Sequence, residues 1–289
     1  MWAFLALGAA VLASFNPILY KRMLKDADSI VVVWGVTLLA LPLLGLFTIA
    51  LTPQFPTIDW LFVVGVLGSA GLNVVAHLAS TRALKLADAS LVTPLLIFSP
   101  VFTVLISALV LGETPSAGGA LGVGLVLIGA YWFNRTSSAG WLTPFKSLAL
   151  TPGVALVLLA GFLWAITPLF EKTAILHTNP ESPRLVAFVA TALLTLILTP
   201  AVIARGKSAI IKLSLHRRDL FIAGLIAGIA PVLGYTALSL GFVGYVTTLF
   251  RLSTLMTVIW SFLFLKERGL AQRLPGSLVM VIGAIVITT

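Results

Sequence analysis

The most constraining feature of this sequence is a long apolar segment that occurs twice. Residues 83–113 recur 154 positions later as residues 237–267, and both copies are apolar enough to cross a membrane. A duplicated membrane domain is the usual construction of a secondary transporter. The repeat therefore predicts a membrane protein made of two related halves. Identical pairs include Ala83/Ala237, Thr93/Thr247, Ser99/Ser253, Thr103/Thr257, Ser107/Ser261 and Glu113/Glu267.

The composition excludes an ordinary soluble domain. Of the 289 residues, 60% are hydrophobic and only 9% are charged, whereas about a quarter of the residues in soluble domains are charged. The absence of Cys excludes thiol redox chemistry, disulfides and Cys-based metal sites. The sequence also lacks HExxH, GxSxG, Walker A and GxGxxG motifs. We therefore expect no enzymatic activity, no catalytic residues, no cofactor and no metal site.

Ten apolar stretches are long enough to cross about 30 Å of hydrocarbon. The longer connection at 134–151 separates two repeat units, 1–133 and 152–289. Each unit holds five spans, an odd number, so the second unit must enter the membrane from the opposite side. The predicted fold is an all-α integral membrane protein with ten transmembrane helices in two inverted five-helix repeats. The spans lie near 2–20, 30–51, 59–80, 88–111, 116–133, 152–170, 184–204, 219–240, 244–265 and 272–288.

The distribution of basic residues supports this inversion independently. Fifteen of the 18 lie in the loops that follow odd-numbered spans. The positive-inside rule places those loops in the cytoplasm and both termini outside it. Basic residues confined to short loops do not form a nucleic-acid surface, despite the net charge of +9. In the first span, Lys21 and Arg22 follow the apolar run instead of preceding it, which indicates a retained helix and not a signal peptide.

Several motifs together resemble the drug/metabolite transporter superfamily, specifically proteins with two EamA domains. They are ALxLxDASLVTPLL at 83–96, SP at 99–100, LGE at 111–113 and the Gly-rich fifth span that ends in IGAY. The first span adds Asn16-Pro17 followed by Lys21. The resemblance covers nearly the whole chain and implies a transporter of a prokaryotic plasma (inner) membrane. It leaves the substrate open among amino acids, drugs, sugars, nucleobases and other metabolites.

Arg251 is the strongest candidate for a substrate-binding residue. It lies about seven residues into the ninth span, roughly 10 Å deep, and its counterpart in the first half is Ile97. A guanidinium at that depth costs at least about 2.5–3.5 kcal/mol. Because no acidic residue occupies the centre of a predicted span, a carboxylate or phosphate of a substrate would supply the counter-charge. A structural role, in which Arg251 reaches the interface or binds freed carbonyls, is the alternative.

Prolines inside spans are the candidate hinges and gates. Proline removes an amide donor and blocks bonding to the carbonyl four residues earlier, and freed carbonyls at membrane depth are tolerated where they line a cavity. Pro17 and Pro168 occupy equivalent positions in the two halves. A simple packing kink is the alternative for each. The predicted hinge or gating residues are Pro17, Pro94, Pro100, Pro168, Glu113 and Glu267.

Other polar and aromatic residues are candidates for the wall of a cavity. Asn73 and His77 are four residues apart and share one helix face, and Trp164 lies one turn before Pro168. An interfacial His bonded to a neighbour is the competing interpretation of His77. Hydroxyl stripes and the Gly-rich fifth and tenth spans also suit helix packing. Besides Arg251, the predicted substrate-binding residues are Asn16, Asn73, His77, Trp164, Thr93, Ser99, Thr247, Ser253 and Tyr235.

The sequence thus predicts a secondary transporter that moves a small organic solute, such as an amino acid, by alternating access. The expected partners are that solute and the lipid bilayer, with no nucleic acid, and a homodimer is compatible with the sequence. The alternatives are a flippase for a lipid or polyprenyl-phosphate headgroup and a multidrug or cation exporter. Without a carboxylate in the centre of a span, an acidic proton relay is not expected. Facilitated diffusion, exchange or a proton route through His77 remain open.

Overall fold

The computed structural model of the chain describes residues 1–52, 54–86, 99–134, 152–253, 255–257, 260 and 270–288. Over these residues it contains twelve helices and one pair of two-residue antiparallel strands. The predicted all-α membrane class is confirmed apart from this strand pair. The elements are α1 Trp2–Ala13, α2 Asn16–Met23, α3 Ser29–Leu51, β1 Thr57–Ile58, α4 Trp60–Leu86, α5 Ser99–Val110, α6 Ala117–Asn134, α7 Pro152–Leu176, β2 Thr178–Asn179, α8 Pro183–Ile203, α9 Lys207–Ser214, α10 Arg217–Leu240, α11 Val243–Phe250 and α12 Leu270–Thr288.

The long helices have the length and composition of membrane spans. In hydrocarbon every backbone polar group needs an internal partner, and a helix provides one within its own segment. Six helical segments in the described part of the chain are long and apolar enough to cross a membrane, and one of them, Trp2–Tyr20, comprises α1 and the start of α2. Ala117–Trp132 of α6 and Pro275–Thr288 of α12 are shorter apolar segments. Ile49, Leu109 and Ile203 are at least 70% exposed, as expected of side chains that face lipid. The predicted fourth and ninth spans fall partly outside the described residues, so the count of ten stays a prediction.

The chain forms two compact units, and each of them uses both predicted halves. The first unit comprises Met1–Val74 and Phe170–Gly241, and the second comprises Val75–Leu169 and Phe242–Thr289. Helices α4 and α7 therefore each contribute to both units. The division into 1–133 and 152–289 follows the sequence repeat, which is a different criterion, and that division stays a prediction.

The first unit is built on helix α3. This helix packs against α8 and α10, and α10 also packs against α1. Val31, Val32 and Val36 of α3 are fully or almost fully buried in an apolar cluster with Met23 and Val202. Hydrogen bonds between spans reinforce this packing, as hydroxyl groups commonly do in membranes. They join Trp34 Nε1 to Thr199 Oγ1 at 3.0 Å and Thr195 Oγ1 to Thr37 Oγ1 at 2.9 Å.

The second unit contains the close contact between α6 and α12. A Cβ atom added to Gly122 would lie 2.8 Å from the Gly283 carbonyl oxygen, and one added to Gly283 would lie 2.7 Å from the Gly122 carbonyl oxygen. Gly129 has the same relation to the Gly276 carbonyl, at 2.7 Å. Small residues let helix backbones approach in this way. The predicted role of glycines in packing the fifth and tenth spans is confirmed.

Asp59, in a connection of the first unit, caps the start of α4. Asp59 precedes α4 and accepts hydrogen bonds from the backbone N–H groups of Leu61 at 2.8 Å and Phe62 at 3.1 Å. His177 Nδ1 lies 2.6 Å from Asp59 Oδ2. The hydrogen bond with His177, and then those from the Phe62 and Leu61 amides, lower the pKa of Asp59. The segment 205–218 lies between two predicted spans and was therefore expected to be a loop. It contains the helix α9.

The two equivalent prolines have different effects on their helices. In the first span α1 ends at Ala13 and α2 begins at Asn16, with Pro17 in its first turn, a position that suits proline. Ser14 and Phe15, between the two helices, keep right-handed helical dihedrals. Pro168, in contrast, lies inside the uninterrupted helix α7. The predicted hinge role of both prolines stays a prediction.

Candidate functional site

Arg251 lies at the end of helix α11, in the second unit. It is the C-cap residue of that helix, and its guanidinium Nη2 donates a hydrogen bond to the hydroxyl of Ser99 at the start of α5. Ser99 is 2% exposed. The Nε atom of Arg251 is buried and has no hydrogen-bond partner among the described residues. Within the same residues the guanidinium forms no ion pair, so its partner is a neutral hydroxyl.

A chain of hydrogen bonds extends from this arginine to α7. Thr103 Oγ1 lies 3.1 Å from the Ser99 carbonyl oxygen and 3.0 Å from the Ala165 carbonyl oxygen, so it joins α5 to α7. Trp164 precedes Ala165 and contacts His77 of α4 edge to face, with ring centroids 5.5 Å apart. Within the second unit, hydrogen bonds therefore link α11 to α5 and α5 to α7, and a ring contact links α7 to α4. We call this group, Arg251, Ser99, Thr103, Trp164 and His77, the Arg251 cluster.

Other predicted substrate-binding residues of the ninth span lie near Arg251 in sequence but differ in exposure. Thr247 is 8% exposed, and its hydroxyl lies 2.9 Å from the Val243 carbonyl of its own helix, so its donor is used locally. Ser253 is partly buried in the helical turn after Arg251. Pro100 follows Ser99 in helix α5. The predicted residues Thr93, Pro94 and Glu267 lie outside the described residues.

Glu113 connects the segment after α5 to the start of α11. It is 7% exposed, and its Oε2 atom accepts a hydrogen bond of 2.6 Å from the backbone N–H of Val243. Val243 is the first residue of α11, so the carboxylate satisfies one of the N–H groups that a helix start leaves unpaired. A negative charge is also favourable at that end of the helix dipole. This contact explains the glutamate in structural terms, and its predicted gating role stays a prediction.

The contact between Glu113 and Val243 predicts the effect of two substitutions. Glu113→Ala leaves a buried N–H without this acceptor and should lower the free energy of unfolding by about 1–3 kcal/mol. Glu113→Gln should lower it less, because the amide oxygen still accepts a hydrogen bond. Unfolding of the purified protein in detergent measures both effects. Glu181→Ala, at an exposed loop position, is the matched control, and an equal loss for Ala at both sites would contradict the prediction.

Three predicted binding residues belong to the first unit and not to the Arg251 cluster. Asn16 is the first residue of α2, and its Oδ1 atom is buried with no hydrogen-bond partner among the described residues. Asn73 is partly buried on α4. Tyr235 lies on α10, where it forms a hydrogen bond with the carboxylate of Glu171. The predicted binding residues therefore come from both units, and their membership of one site stays a prediction.

Glu171 is a residue of interest that the sequence analysis missed. The sixth span was expected to end at residue 170, but α7 continues to Leu176, and Leu158–Leu176 qualifies as a membrane span. The predicted boundary at residue 170 is therefore wrong, and Glu171 lies inside this span. Comparison of the two halves could have found this residue, because the pairing of Lys172 with Lys21 aligns Glu171 with Tyr20. Arg251 was singled out by the same difference between halves.

The two loop histidines of the first unit are each paired with a carboxylate. His177 lies beside Asp59, and His216 Nε2 lies 2.8 Å from Asp26 Oδ2. Among the residues that the structure describes, no three His, Asp or Glu side chains come together in a way that could hold a metal ion. The polar groups to be explained are therefore the Arg251 cluster and the surroundings of Glu171.

Comparison with known proteins gives the family of the chain. A solved structure described only as "Crystal structure of protein" has a TM-score of 0.78 and 16% sequence identity, over 99% of this chain and 98% of that one. At this identity the likeness shows a shared fold alone. No protein with a curated description matches. The model of the EamA-like transporter family matches residues 1–135 and 151–289. Since these segments make up nearly the whole sequence, the chain belongs to the EamA-like transporter family, within the drug/metabolite transporter superfamily.

Proposed function

We propose that this protein is a secondary transporter for a small organic solute bearing a carboxylate or phosphate group, such as an amino acid. Arg251 binds the anionic group of the solute, and the solute crosses the membrane by alternating access. The observation that carries this proposal is the state of the Arg251 guanidinium. It lies beside a buried neutral hydroxyl, Ser99, with a buried Nε that has no partner in the described part of the chain.

Electrostatics favour an anionic ligand at this position. An arginine in a membrane-spanning region is costly unless it is paired, and such residues usually mark a substrate or ion path. A guanidinium also presents its donors in a fixed fork that matches carboxylate and phosphate oxygens. An ammonium or other cation would meet a like charge here. This argument favours an anionic or zwitterionic solute over the cation exporter considered from the sequence.

The aromatic members of the Arg251 cluster suit the remainder of such a solute. Trp164 and His77 present ring surfaces within the same unit, and binding sites for small molecules combine apolar and aromatic walls with a few polar groups that fix orientation. In this proposal Ser99 and Thr103 lie on the same side of the site as Arg251. The rings contact the less polar part of the solute.

A ligand-stabilisation screen tests this proposal. Purified protein in detergent is heated with amino acids, glucose 6-phosphate, a polyprenyl phosphate or tetraphenylphosphonium. A ligand present at about 100 times its Kd stabilises the native state by about 2.7 kcal/mol, or roughly 5–10 °C in Tm. We expect this shift with an anionic or zwitterionic compound, and its loss in Arg251→Gln. Stabilisation by the polyprenyl phosphate alone would favour the flippase alternative, and stabilisation by the cation alone would contradict the proposal.

A further inference from the structure

Glu171 is held by neutral hydrogen-bond donors from two neighbouring helices. Ser69 Oγ of α4 lies 3.1 Å from Glu171 Oε1, and the Tyr235 hydroxyl of α10 forms a second hydrogen bond with the carboxylate. Ser69 is 1% exposed, and all three residues lie within candidate membrane spans of the first unit. The group therefore joins α4, α7 and α10 around one carboxyl group.

Close packing of α4 on α7 positions the serine donor. A Cβ atom added to Gly65 would lie 2.7 Å from the Ala174 Cβ and 2.8 Å from the Phe170 carbonyl oxygen. A Cβ atom on Gly68 would meet the Phe170 ring. Without side chains at these two positions, the backbone of α4 approaches α7 closely enough for the Ser69 hydroxyl to reach the carboxylate. A small hydroxyl beside two glycines is thus suited to this contact.

The charged groups near this carboxylate are used elsewhere. Lys172, the next residue along the chain, donates a hydrogen bond of 2.7 Å from Nζ to the Gly241 carbonyl oxygen. Asp59, just before α4, and His177, just before β2, pair with each other. On α10 the titratable group that faces the carboxylate is the Tyr235 hydroxyl. Within the part of the chain that the structure describes, Glu171 forms no ion pair.

A carboxyl group in this setting can exchange a proton without breaking an ion pair. Burial in an apolar region disfavours the ionised form, whereas hydrogen bonds donated by hydroxyls favour it. Ionisable residues within membrane spans mark proton relays or substrate paths more often than packing contacts. The Arg251 cluster belongs to the other unit. The proton site and the proposed anion site therefore involve different residues.

We propose that Glu171 binds and releases the proton that couples solute transport to the proton gradient, with Ser69 and Tyr235 holding its ionised form. In the protonated state the carboxyl group is neutral, and on release of the proton the two hydroxyl donors stabilise the negative charge. This coupling rests on the proposed transport function. The proton site itself does not depend on which solute is carried.

Labelling with dicyclohexylcarbodiimide tests the proton site in the wild-type protein. This apolar reagent reacts with protonated carboxyl groups: the acid adds across a C=N bond, and the O-acylisourea rearranges to a stable N-acylurea. In proteoliposomes we expect Glu171 to gain the mass of one reagent molecule, at least about threefold more at about pH 6 than at about pH 8. Peptide mass spectrometry measures the labelled fraction. Absence of label on Glu171, or equal labelling at the two pH values, would overturn the proposal.

Two matched variants assign the label and test coupling. Glu171→Gln should remove the label, and Glu181→Gln, at an exposed loop position, should retain it.

Vesicles loaded with pyranine then report proton flux on addition of glutamate, alanine or glucose 6-phosphate. For a probe that shows counterflow, Glu171→Gln should keep the counterflow and lose the evoked proton flux, whereas Glu181→Gln keeps both. Proton flux that persists in Glu171→Gln, or is missing in the wild type, would overturn the coupling. If no probe shows counterflow, the proposed solute class fails, and the labelling result still decides the proton site.

Discussion

Arg251→Ala should lower the rate of solute uptake at least about 30-fold, because removal of one partner of a desolvated charge pair costs about 2–5 kcal/mol. Arg251→Lys should restore part of this loss, since it keeps the positive charge but not the two-pronged geometry of the guanidinium. Uptake should remain about tenfold below the wild type for the lysine variant. The order wild type, lysine, alanine is the expected result for direct recognition of an anion.

Uptake into proteoliposomes, normalised to the amount of folded protein, measures this series. The solute is the compound that gives the largest stabilisation in the screen described above. Arg218→Ala is the matched control, because Arg218 is exposed in the first turn of α10. Ser99→Ala should have a smaller effect than Arg251→Ala, since it removes a neutral partner and leaves the charge. Normal uptake by well-folded Arg251→Ala protein would exclude Arg251 from the substrate site.

The sequence selected residues that the structure pairs within the Arg251 cluster. Arg251 and Ser99 were both selected, and the structure joins them by a hydrogen bond. His77 and Trp164 were also selected, and their rings are in contact. These pairs come from spans that are far apart in the sequence. Periodicity places a residue on a helix face, but it does not say which helices assemble into one compact unit, and Asn16 and Asn73 lie in the first unit.

The predicted end of the sixth span was wrong, and Glu171 shows the physical reason. A hydropathy reading ends a span where charged residues begin, so Glu171 and Lys172 set the apparent boundary at residue 170. In the structure the helix continues because both side chains have polar partners elsewhere in the first unit. Ser69 bonds to Glu171, and Lys172 reaches the Gly241 carbonyl. These compensating contacts come from other helices and cannot be seen in a local pattern.

The contrast between Pro17 and Pro168 has a similar origin. Both prolines lack the amide donor that a helix interior requires, and local rules therefore treat them alike. At Pro17 two residues, Ser14 and Phe15, separate α1 from α2 while keeping right-handed helical dihedrals, and the proline lies in the first turn of α2. At Pro168 the helix persists, and Thr167 Oγ1 lies 2.9 Å from the Leu163 carbonyl oxygen. Sequence equivalence alone does not determine whether a span divides into two helices or continues as one.

The contact between α6 and α12 leads to the second large expected effect. Gly122 lies where the two backbones meet, and an added Cβ would be 2.7 Å from Ile287 Cγ1 as well as 2.8 Å from the Gly283 carbonyl oxygen. The Gly283 carbonyl oxygen belongs to the backbone of α12, so it cannot move aside as the end of a flexible side chain would. A larger residue must therefore separate the helices. Gly124, two residues along the same helix, has open space where a Cβ would be placed.

Gly122→Val should therefore abolish most of the folded protein, whereas Gly124→Val should leave it largely intact. Overpacking of a tight contact costs about 1–3 kcal/mol and often more, and here the loss extends along the whole face that Gly129 and Gly276 continue. Both variants carry the same β-branched side chain in the same helix, so helix propensity and hydrophobicity are matched. Size-exclusion chromatography in mild detergent measures the monodisperse fraction of each. Equal yields would show that α6 and α12 tolerate separation, and that their glycines do not hold the second unit together.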